Sequence, residues 1–326
     1  MDKKMRIVLK TEFGDRIGMG HLVESLHLAS ELKRMGAVLS LAIRRYGTDK
    51  NVPRAIASEN YSLFGEDDTW DAEYDWITGR VEPRGVVVFN QKNLDKDLVK
   101  RLRQQHIRTV CITEGKDSGL CDRAVDIVAE PSYMILSPLI QRFQKRDVRK
   151  KADTVVLCLG GSDPRNNTEK ILKALSALTD TVRIHAVVGY LYRSNESLER
   201  AAARTKEGVS IHRDVPQETF FKLLGDADLG ISSGGDTLYE MAALGLPTVT
   251  ICPSQHQVPA ATRFHEAGAT IFLGLSATVD GQKIREEVQS LLGSYEKRRA
   301  MSVNAQILVD GRGAARAAKV ILQERG

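Results

Sequence analysis

Three glycine-containing loops hold the side chains whose types and spacing suit chemistry. In the first loop, residues 14–21, Gly18 and Gly20 lead to His21 at the start of a helical pattern. Glycines let the backbone approach a ligand, and a helix start offers free N–H groups to an anion. A helix N-terminus also disfavours positive charge, so a neutral His21 could serve as a general base. The alternative is a histidine that only hydrogen-bonds the backbone.

The second loop, residues 160–167, contains Gly160, Gly161 and Ser162 after an apolar strand pattern. This composition suits a contact with a phosphate or a sugar. It is equally typical of an ordinary turn, because Gly, Ser, Asp, Pro and Asn are all good turn formers.

The third loop, residues 232–240, places Gly234, Gly235 and Thr237 at the start of another predicted helix, which suits a diphosphate. Glu240 follows one turn later, where a carboxylate can accept both hydroxyls of a ribose. The Thr237-x-x-Glu240 spacing is also that of a capping box, in which both side chains only satisfy backbone N–H groups. The residues alone leave both interpretations open.

A nicotinamide-dinucleotide site is weakly supported. Its G-x-G-x-x-G pattern needs a third glycine, and Val23 stands in that place after Gly18 and Gly20. The next predicted strand ends in Arg44 and Arg45, where such a site needs an acidic residue for the ribose.

The elements that must position these loops alternate between strand and helix patterns. In the first half, apolar runs at residues 6–10 and 84–89 alternate with helical periodicity such as that of residues 22–35. After a basic stretch, residues 137–151, the alternation restarts with an apolar run at residues 154–159. Alternation of this kind predicts parallel sheets covered by helices.

We therefore predict an α/β protein of two Rossmann-like domains, residues 1–150 and residues 151–326. The basic stretch would join them. Ligands of open α/β sheets bind at the carboxyl ends of the strands, so the three loops are expected to face a central cleft between the domains.

Composition and charge exclude several classes of protein. The 326 residues include 47 basic and 42 acidic side chains, a net charge of +5, and 42% are apolar. These values exclude a disordered chain, and so mild a charge gives no argument for nucleic acid. No apolar run approaches the roughly 20 residues of a transmembrane segment. Four scattered cysteines without a C-x-x-C pair, and no signal-peptide core, predict a cytoplasmic protein.

Taken together and in order, the loops resemble a known family. They look like the UDP-sugar hydrolases of pseudaminic-acid biosynthesis and the wider spore-coat polysaccharide group, and more distantly the peptidoglycan N-acetylglucosaminyltransferase. The resemblance implies the GT-B fold, with a UDP-sugar bound in the cleft and no metal or other cofactor. It extends over about residues 6–273 and is carried by residues 17–21, 160–166, 234–240, 245–247 and 256–257.

This resemblance implies a role for residues in both domains. His21 in the N-terminal domain would activate the attacking hydroxyl, while Glu240 would bind the ribose and the backbone near Val215 the uracil. The diphosphate would meet the loops at Gly18, Gly20, Gly160, Gly161, Ser162, Gly234, Gly235 and Thr237. The sugar would contact Asn90, His256 and Gln257.

The N-terminal half departs from the hydrolase pattern at three places. Glu24 replaces a basic residue, Asn90 ends a strand that carries an Asp-Ser-Tyr-like run in the hydrolases, and Glu114 stands where they have an acidic pair. The first hypothesis is cleavage of a UDP-sugar at its anomeric bond by water, with His21 as the base. The alternative is a glycosyltransferase that passes the sugar to a saccharide or another hydroxyl acceptor, and a third is a non-catalytic nucleotide-sugar-binding protein.

Overall fold

The chain forms two units, each built around one six-stranded sheet. One unit comprises Met1–Pro138 with Arg312–Gly326, and the other comprises Leu139–Gly311. The computed structural model describes residues 4–14, 18–47, 56, 60–81, 85–92, 94–113, 119–127, 129–144, 147–161, 163–178, 181–189, 192–203 and 208–323.

The first unit alternates strands and helices. Its strands pair in parallel in the order β3-β2-β1-β4-β5-β6, and β4 is buried along its whole length, as helices on both faces of a sheet require. The elements are β1 (Arg6–Gly14), α1 (Gly20–Arg34), β2 (Val38–Tyr46), β3 (Tyr61–Phe64), α2 (Trp70–Thr78), β4 (Val86–Asn90), α3 (Lys96–Gln104), β5 (Arg108–Thr113) and β6 (Arg123–Asp126).

The second unit repeats this design. Its strands pair in parallel in the order β12-β11-β10-β7-β8-β9. Its elements are β7 (Thr154–Cys158), α4 (Asn167–Leu175), β8 (Arg183–Val188), α5 (Asn195–Ala203), β9 (Val209–Arg213), α6 (Gln217–Asp226), β10 (Leu229–Ser232), α7 (Asp236–Ala243), β11 (Thr248–Cys252), α8 (Val258–Glu266), β12 (Thr270–Leu275), α9 (Gly281–Gly293) and α10 (Tyr295–Leu308).

Counted within each unit, both sheets have the strand order 3-2-1-4-5-6, which is that of the Rossmann fold. The prediction of two Rossmann-like domains is confirmed. The order reverses between β1 and β4 in the first unit and between β7 and β10 in the second. Ligands of such sheets bind beside this reversal, and the three glycine-containing loops all follow strands that flank it.

The C-terminal helix belongs to the first unit. This helix, α11 (Gly313–Leu322), lies against α1, and the Arg108 side chain donates a hydrogen bond to the Val320 carbonyl (2.9 Å). Gly313 lies so close to the Met134 backbone that a Cβ atom has no room there. The predicted division at residues 150 and 151 therefore changes, because the end of the chain returns to the N-terminal sheet.

The basic stretch, residues 137–151, is tied into the second unit from residue 139 onward. The Gln141 amide donates to the Asp310 carbonyl (2.9 Å), and the Arg149 guanidinium contacts the buried Asp228 carboxylate (2.7 Å). These contacts make the predicted linker a structural part of that unit.

Candidate functional site

The first loop ends in a helix start that its preceding residue leaves uncapped. Gly18, at φ +82°, donates its N–H to the Gly14 carbonyl (2.7 Å), which closes the loop. Its residues 15–17 lie outside the described part of the chain. Helix α1 begins at Gly20, and Met19 offers no side-chain cap to the first turn. The first turn of α1, which contains His21, therefore has backbone N–H groups that Met19 does not cap.

His21 occupies a protected position. Its side chain is 22% exposed, and its Nδ1 lies 4.0 Å from Oε1 of the nearly buried Glu12. Burial lowers the pKa of His21, and the nearby charge of Lys92 lowers it further. The imidazole is thus neutral at neutral pH, the form that a general base requires.

Asn90 anchors the start of α1. It is buried at the end of β4, and its Nδ2 lies within hydrogen-bond distance of the His21 carbonyl (3.2 Å), Glu24 Oε2 (3.1 Å) and Ser25 Oγ (3.3 Å). These contacts use both N–H groups of the amide. Asn90 therefore positions the helix that carries His21, and its contact with a sugar stays a prediction.

The second loop closes its own helix start. The buried Asp163 carboxylate accepts hydrogen bonds from the backbone N–H of Asn167 (3.0 Å) and from both the N–H and the hydroxyl of Thr168 (2.7 Å each). A ligand anion at the start of α4 would compete with this carboxylate. Gly160 has a φ of +96° and Gly161 is exposed, and a Cβ at either position would meet no atom within 4 Å; Ser162 lies outside the described residues.

The third loop leaves its helix start open. Helix α7 begins after Gly235, which has no side chain to cap the first turn. Thr237 lies inside the helix. The capping-box interpretation needs Thr237 before the helix, so the structure does not form it. Gly234 is required here, because a Cβ would stand 2.5 Å from the Gln257 carbonyl.

Glu240 lies one turn along α7, on the side of Thr237, because residues three apart share a helix face. Burial, and then the charge of Asp236, raises the pKa of Glu240 to about 8. The thiol of Cys158, at the end of β7, lies near the Gly160 backbone, the Thr237 side chain and the Glu240 carboxyl group, all of which affect the pKa of the thiol. The second and third loops thus meet around this thiol.

Two buried polar atoms flank the third loop without a hydrogen-bond partner among the described residues, Ser232 Oγ and Gln257 Oε1. Ser232 ends β10, and the Gln257 carboxamide lies against Gly235. A buried polar group is normally hydrogen-bonded, so these two atoms beside an open helix start are available to a polar partner.

The remaining predicted residues lie farther out in the second unit. His256 is exposed in the turn before α8, and its Nδ1 lies 3.1 Å from Ser254 Oγ. Val215 follows β9, at the edge of the sheet and two strands from β7, so it does not share the loop cluster of α7.

Within the described residues, no group of three or more His, Cys, Asp or Glu side chains is placed to hold a metal ion. Within the same residues, no helix is long and apolar enough to cross a membrane.

Two residues near the loops escaped the sequence analysis. Glu12 is a buried charged residue in the second half of β1, and a buried charge within a strand is a signal of a functional side chain. Asp163 has the sequence pattern of a turn residue before Pro164. The structure shows that its carboxylate caps the start of α4.

Three comparisons with known proteins agree with this architecture. The spore coat polysaccharide biosynthesis protein SpsG of Bacillus subtilis is 22% identical over 97% of this chain and 98% of its own length. The crystal structure of Acinetobacter baumannii MurG superposes with a TM-score of 0.69 at 15% identity, covering 98% of this chain and 99% of that one. UDP-GlcNAc 2-epimerase from Neisseria meningitidis, bound to UDP-GlcNAc, gives a TM-score of 0.64 at 12% identity, covering 98% of this chain and 100% of that one.

The structural neighbours include glycosyltransferases of the GT-B fold, and the two Rossmann-like units are those of that fold. Residues 155–321, just over half of the chain, match the glycosyltransferase family 28 C-terminal domain. On this evidence the chain belongs to the glycosyltransferase family 28 C-terminal domain family.

Proposed function

We propose that this protein is a glycosyltransferase that takes a sugar from a UDP-sugar donor and passes it to a hydroxyl group of a saccharide acceptor. The observation that carries the proposal is the open start of α7, with Glu240 one turn further and two orphaned polar atoms beside it. The similarity to a spore coat polysaccharide biosynthesis protein supports a surface polysaccharide as the destination of the sugar.

The diphosphate would bind at the start of α7. Its uncapped N–H groups and the positive end of the helix dipole suit an anion, and Gly234 and Gly235 leave the backbone accessible. At α4 the Asp163 carboxylate already occupies the equivalent position. The N–H groups of Gly160 and Gly161 would add to the α7 site from the neighbouring loop, and no metal is needed in this arrangement.

Glu240 would accept both hydroxyls of the ribose. It lies one turn into α7 from the helix start at which the diphosphate would bind, and it does not form a capping box with Thr237. Uracil contact by the backbone near Val215 rests on the resemblance alone. The UDP-GlcNAc bound to the Neisseria epimerase supports a UDP-sugar as the donor class.

His21 would take the proton of the acceptor hydroxyl. The hydroxyl oxygen then forms a bond to the anomeric carbon, the bond from that carbon to the phosphate oxygen breaks, and UDP leaves with the electron pair. The helix start stabilises the charge that develops on the leaving phosphate. Gln257, whose Oε1 has no partner among the described residues, and His256 are proposed contacts of the sugar.

The same arrangement would serve a hydrolase, in which water takes the place of the acceptor hydroxyl. The resemblance to the pseudaminic-acid UDP-sugar hydrolases motivates this second candidate. The family match and the glycosyltransferase neighbours favour transfer.

The test is release of UDP from a panel of UDP-acetamido sugars, measured with and without saccharide acceptors. We expect acceptor-dependent release in the wild type and a loss of roughly 10² or more in His21→Ala, the usual contribution of a general base. His27→Ala is the matched control, because His27 lies on the same helix and is also partly buried.

Each outcome separates the candidates. Fast release without any acceptor would establish the hydrolase. Tight UDP binding with no turnover under any condition, unchanged in His21→Ala, would establish a binding protein. Equal loss of UDP affinity in His21→Ala and Glu240→Ala would refute the division of roles between the two residues.

A further inference from the structure

Glu12 lies beside His21, although no sequence pattern assigns it a role. It is in the last half of β1, and its side chain is only 6% exposed. Its Oε1 accepts a hydrogen bond from the Lys92 backbone N–H (2.7 Å) and stands 4.0 Å from His21 Nδ1. Burying a charged carboxylate is unfavourable unless opposite charges or hydrogen bonds compensate it, so the burial of Glu12 requires an explanation.

The compensation lies in a cluster of charges behind Glu12 on the same sheet. Lys10 and Arg44 both contact the buried Glu73 carboxylate, at 2.6 Å and 2.7 Å. Two cations share one anion, so one positive charge is left. Glu12 is the register partner of Arg44 and interacts favourably with Lys10, and its ionised form balances the cluster.

The backbone of His21 is also fixed in place. Asn90 donates a hydrogen bond to its carbonyl, which fixes the first turn of α1 against β4. On its Nδ1 side the ring has the Glu12 carboxylate as a charged neighbour, at 4.0 Å. Because Nδ1 faces a carboxylate, the favoured neutral tautomer has the proton on Nδ1 and a free lone pair on Nε2.

We propose that Glu12 is a positioning residue for His21: it selects the Nδ1–H tautomer, aims Nε2 at the acceptor hydroxyl, and stabilises the imidazolium once that hydroxyl has given up its proton. The role of Glu12 in catalysis rests on the proposed function, whereas its effect on the His21 tautomer can be measured in the protein without any ligand. The 4.0 Å separation is longer than a hydrogen bond, and such contacts often tighten only when substrate binds.

Other charged groups face this pair and set its titration. Lys92 opposes protonation of His21, and burial raises the pKa of Glu12 while Lys92 and Lys10 lower it. Glu24, on the helix of His21, is bound by Asn90. Tyr46 lies at the end of β2, and the charge of the Glu12 carboxylate contributes to the raised pKa of its phenol.

The first experiment is an imidazole NMR spectrum of the wild-type full chain, which needs no variant. The seven histidines are separated by nitrogen shifts, and His21 is assigned by the signal missing in His21→Asn. We expect the neutral His21 to carry its proton on Nδ1. A proton on Nε2, or a Glu12 that itself donates to Nδ1, would overturn the proposal.

The second experiment compares Glu12→Gln with Glu31→Gln. Glu31→Gln is the matched control, because it also removes one negative charge, at the far end of the helix that carries His21. We expect Glu12→Gln to lower the pKa of His21 by roughly 1, the effect of losing a nearby opposite charge, and Glu31→Gln to leave it unchanged. An unchanged pKa in a folded Glu12→Gln would refute the contact.

The third measurement is turnover. We expect Glu12→Gln to lower kcat by roughly 10- to 100-fold with KM for the UDP-sugar nearly unchanged, and Glu12→Asp to recover part of the loss. If the NMR results hold but neither His21→Ala nor Glu12→Gln changes turnover, the proposed function fails and the contact stands. If only His21→Ala slows turnover, the catalytic role of Glu12 is refuted.

Discussion

Glu240 is expected to lower the stability of the fold that holds it. Its pKa is raised from an ordinary 4.5 to about 8, mainly by burial, so the folded protein resists ionising a group that the unfolded chain ionises freely. Glu240→Gln keeps the size of the side chain and removes the titration. At neutral pH the variant should therefore be more stable than the wild type, although a predicted ligand residue has been replaced.

The magnitude follows from the two pKa values. Between pH 4.5 and pH 8 the unfolded chain has released its proton and the folded chain has not, so stability falls as pH rises. The resulting destabilisation is about 1 kcal/mol at pH 5 and about 3 kcal/mol at pH 7. Below pH 4 both states are protonated and the difference disappears.

The assay is unfolding of the full chain, wild type against Glu240→Gln, at pH 5 and pH 7. At pH 7 we expect Tm to rise by roughly 6–12 °C, since about 2–4 °C accompanies each kcal/mol in a domain of this size. Glu266→Gln is the control, because Glu266 is exposed at the end of α8 and its replacement should change stability by less than about 0.5 kcal/mol.

Two results would refute the reasoning about Glu240. One is a variant no more stable than the wild type at pH 7, and the other is an equal gain at pH 5 and pH 7. The ligand role has its own readout, the preference for UDP over 2′-deoxy-UDP. We expect this preference to fall roughly 10-fold in Glu240→Gln, because the carboxamide has one acceptor oxygen where the carboxyl group has two, and a hydrogen bond to a ribose hydroxyl is lost.

Two further predictions concern residues around the proposed sites. Gly234→Ala places a Cβ 2.5 Å from the Gln257 carbonyl, so we expect a loss of roughly 1–3 kcal/mol in unfolding experiments and weaker UDP binding by calorimetry; an unaffected variant would contradict the close approach. Glu73→Gln leaves Lys10 and Arg44 without their shared carboxylate, so we expect a loss of roughly 3–5 kcal/mol by denaturant unfolding, and a loss below about 1 kcal/mol would refute the charge balance.

The sheets could be predicted because their signals are local. Apolar runs such as β4 and glycine-containing loops after strands are visible in the sequence, and the order of such elements nearly determines a Rossmann topology. The placement of α11 was not predictable. Apart from Ile321, its buried face is made of small residues, among them Ala314, Ala317 and Ala318, which would pack equally well against many helices.

The site was predictable only in part. The residue types of the third loop are visible in the sequence, but the choice between a capping box and a ligand site depends on where the helix starts. That start, after Gly235, leaves Thr237 and Glu240 inside α7. Glu12 was missed because its closeness to His21 depends on how the first loop folds back from β1.

Two departures from the hydrolase pattern, Glu24 and Asn90, prove to be in contact. Asn90 Nδ2 lies 3.1 Å from Glu24 Oε2, and the same amide reaches the His21 carbonyl. At these two positions this chain combines an acid with an amide, and their contact holds the start of α1 against β4. The pair therefore anchors the helix that carries His21, which gives both departures from the pattern a structural reason.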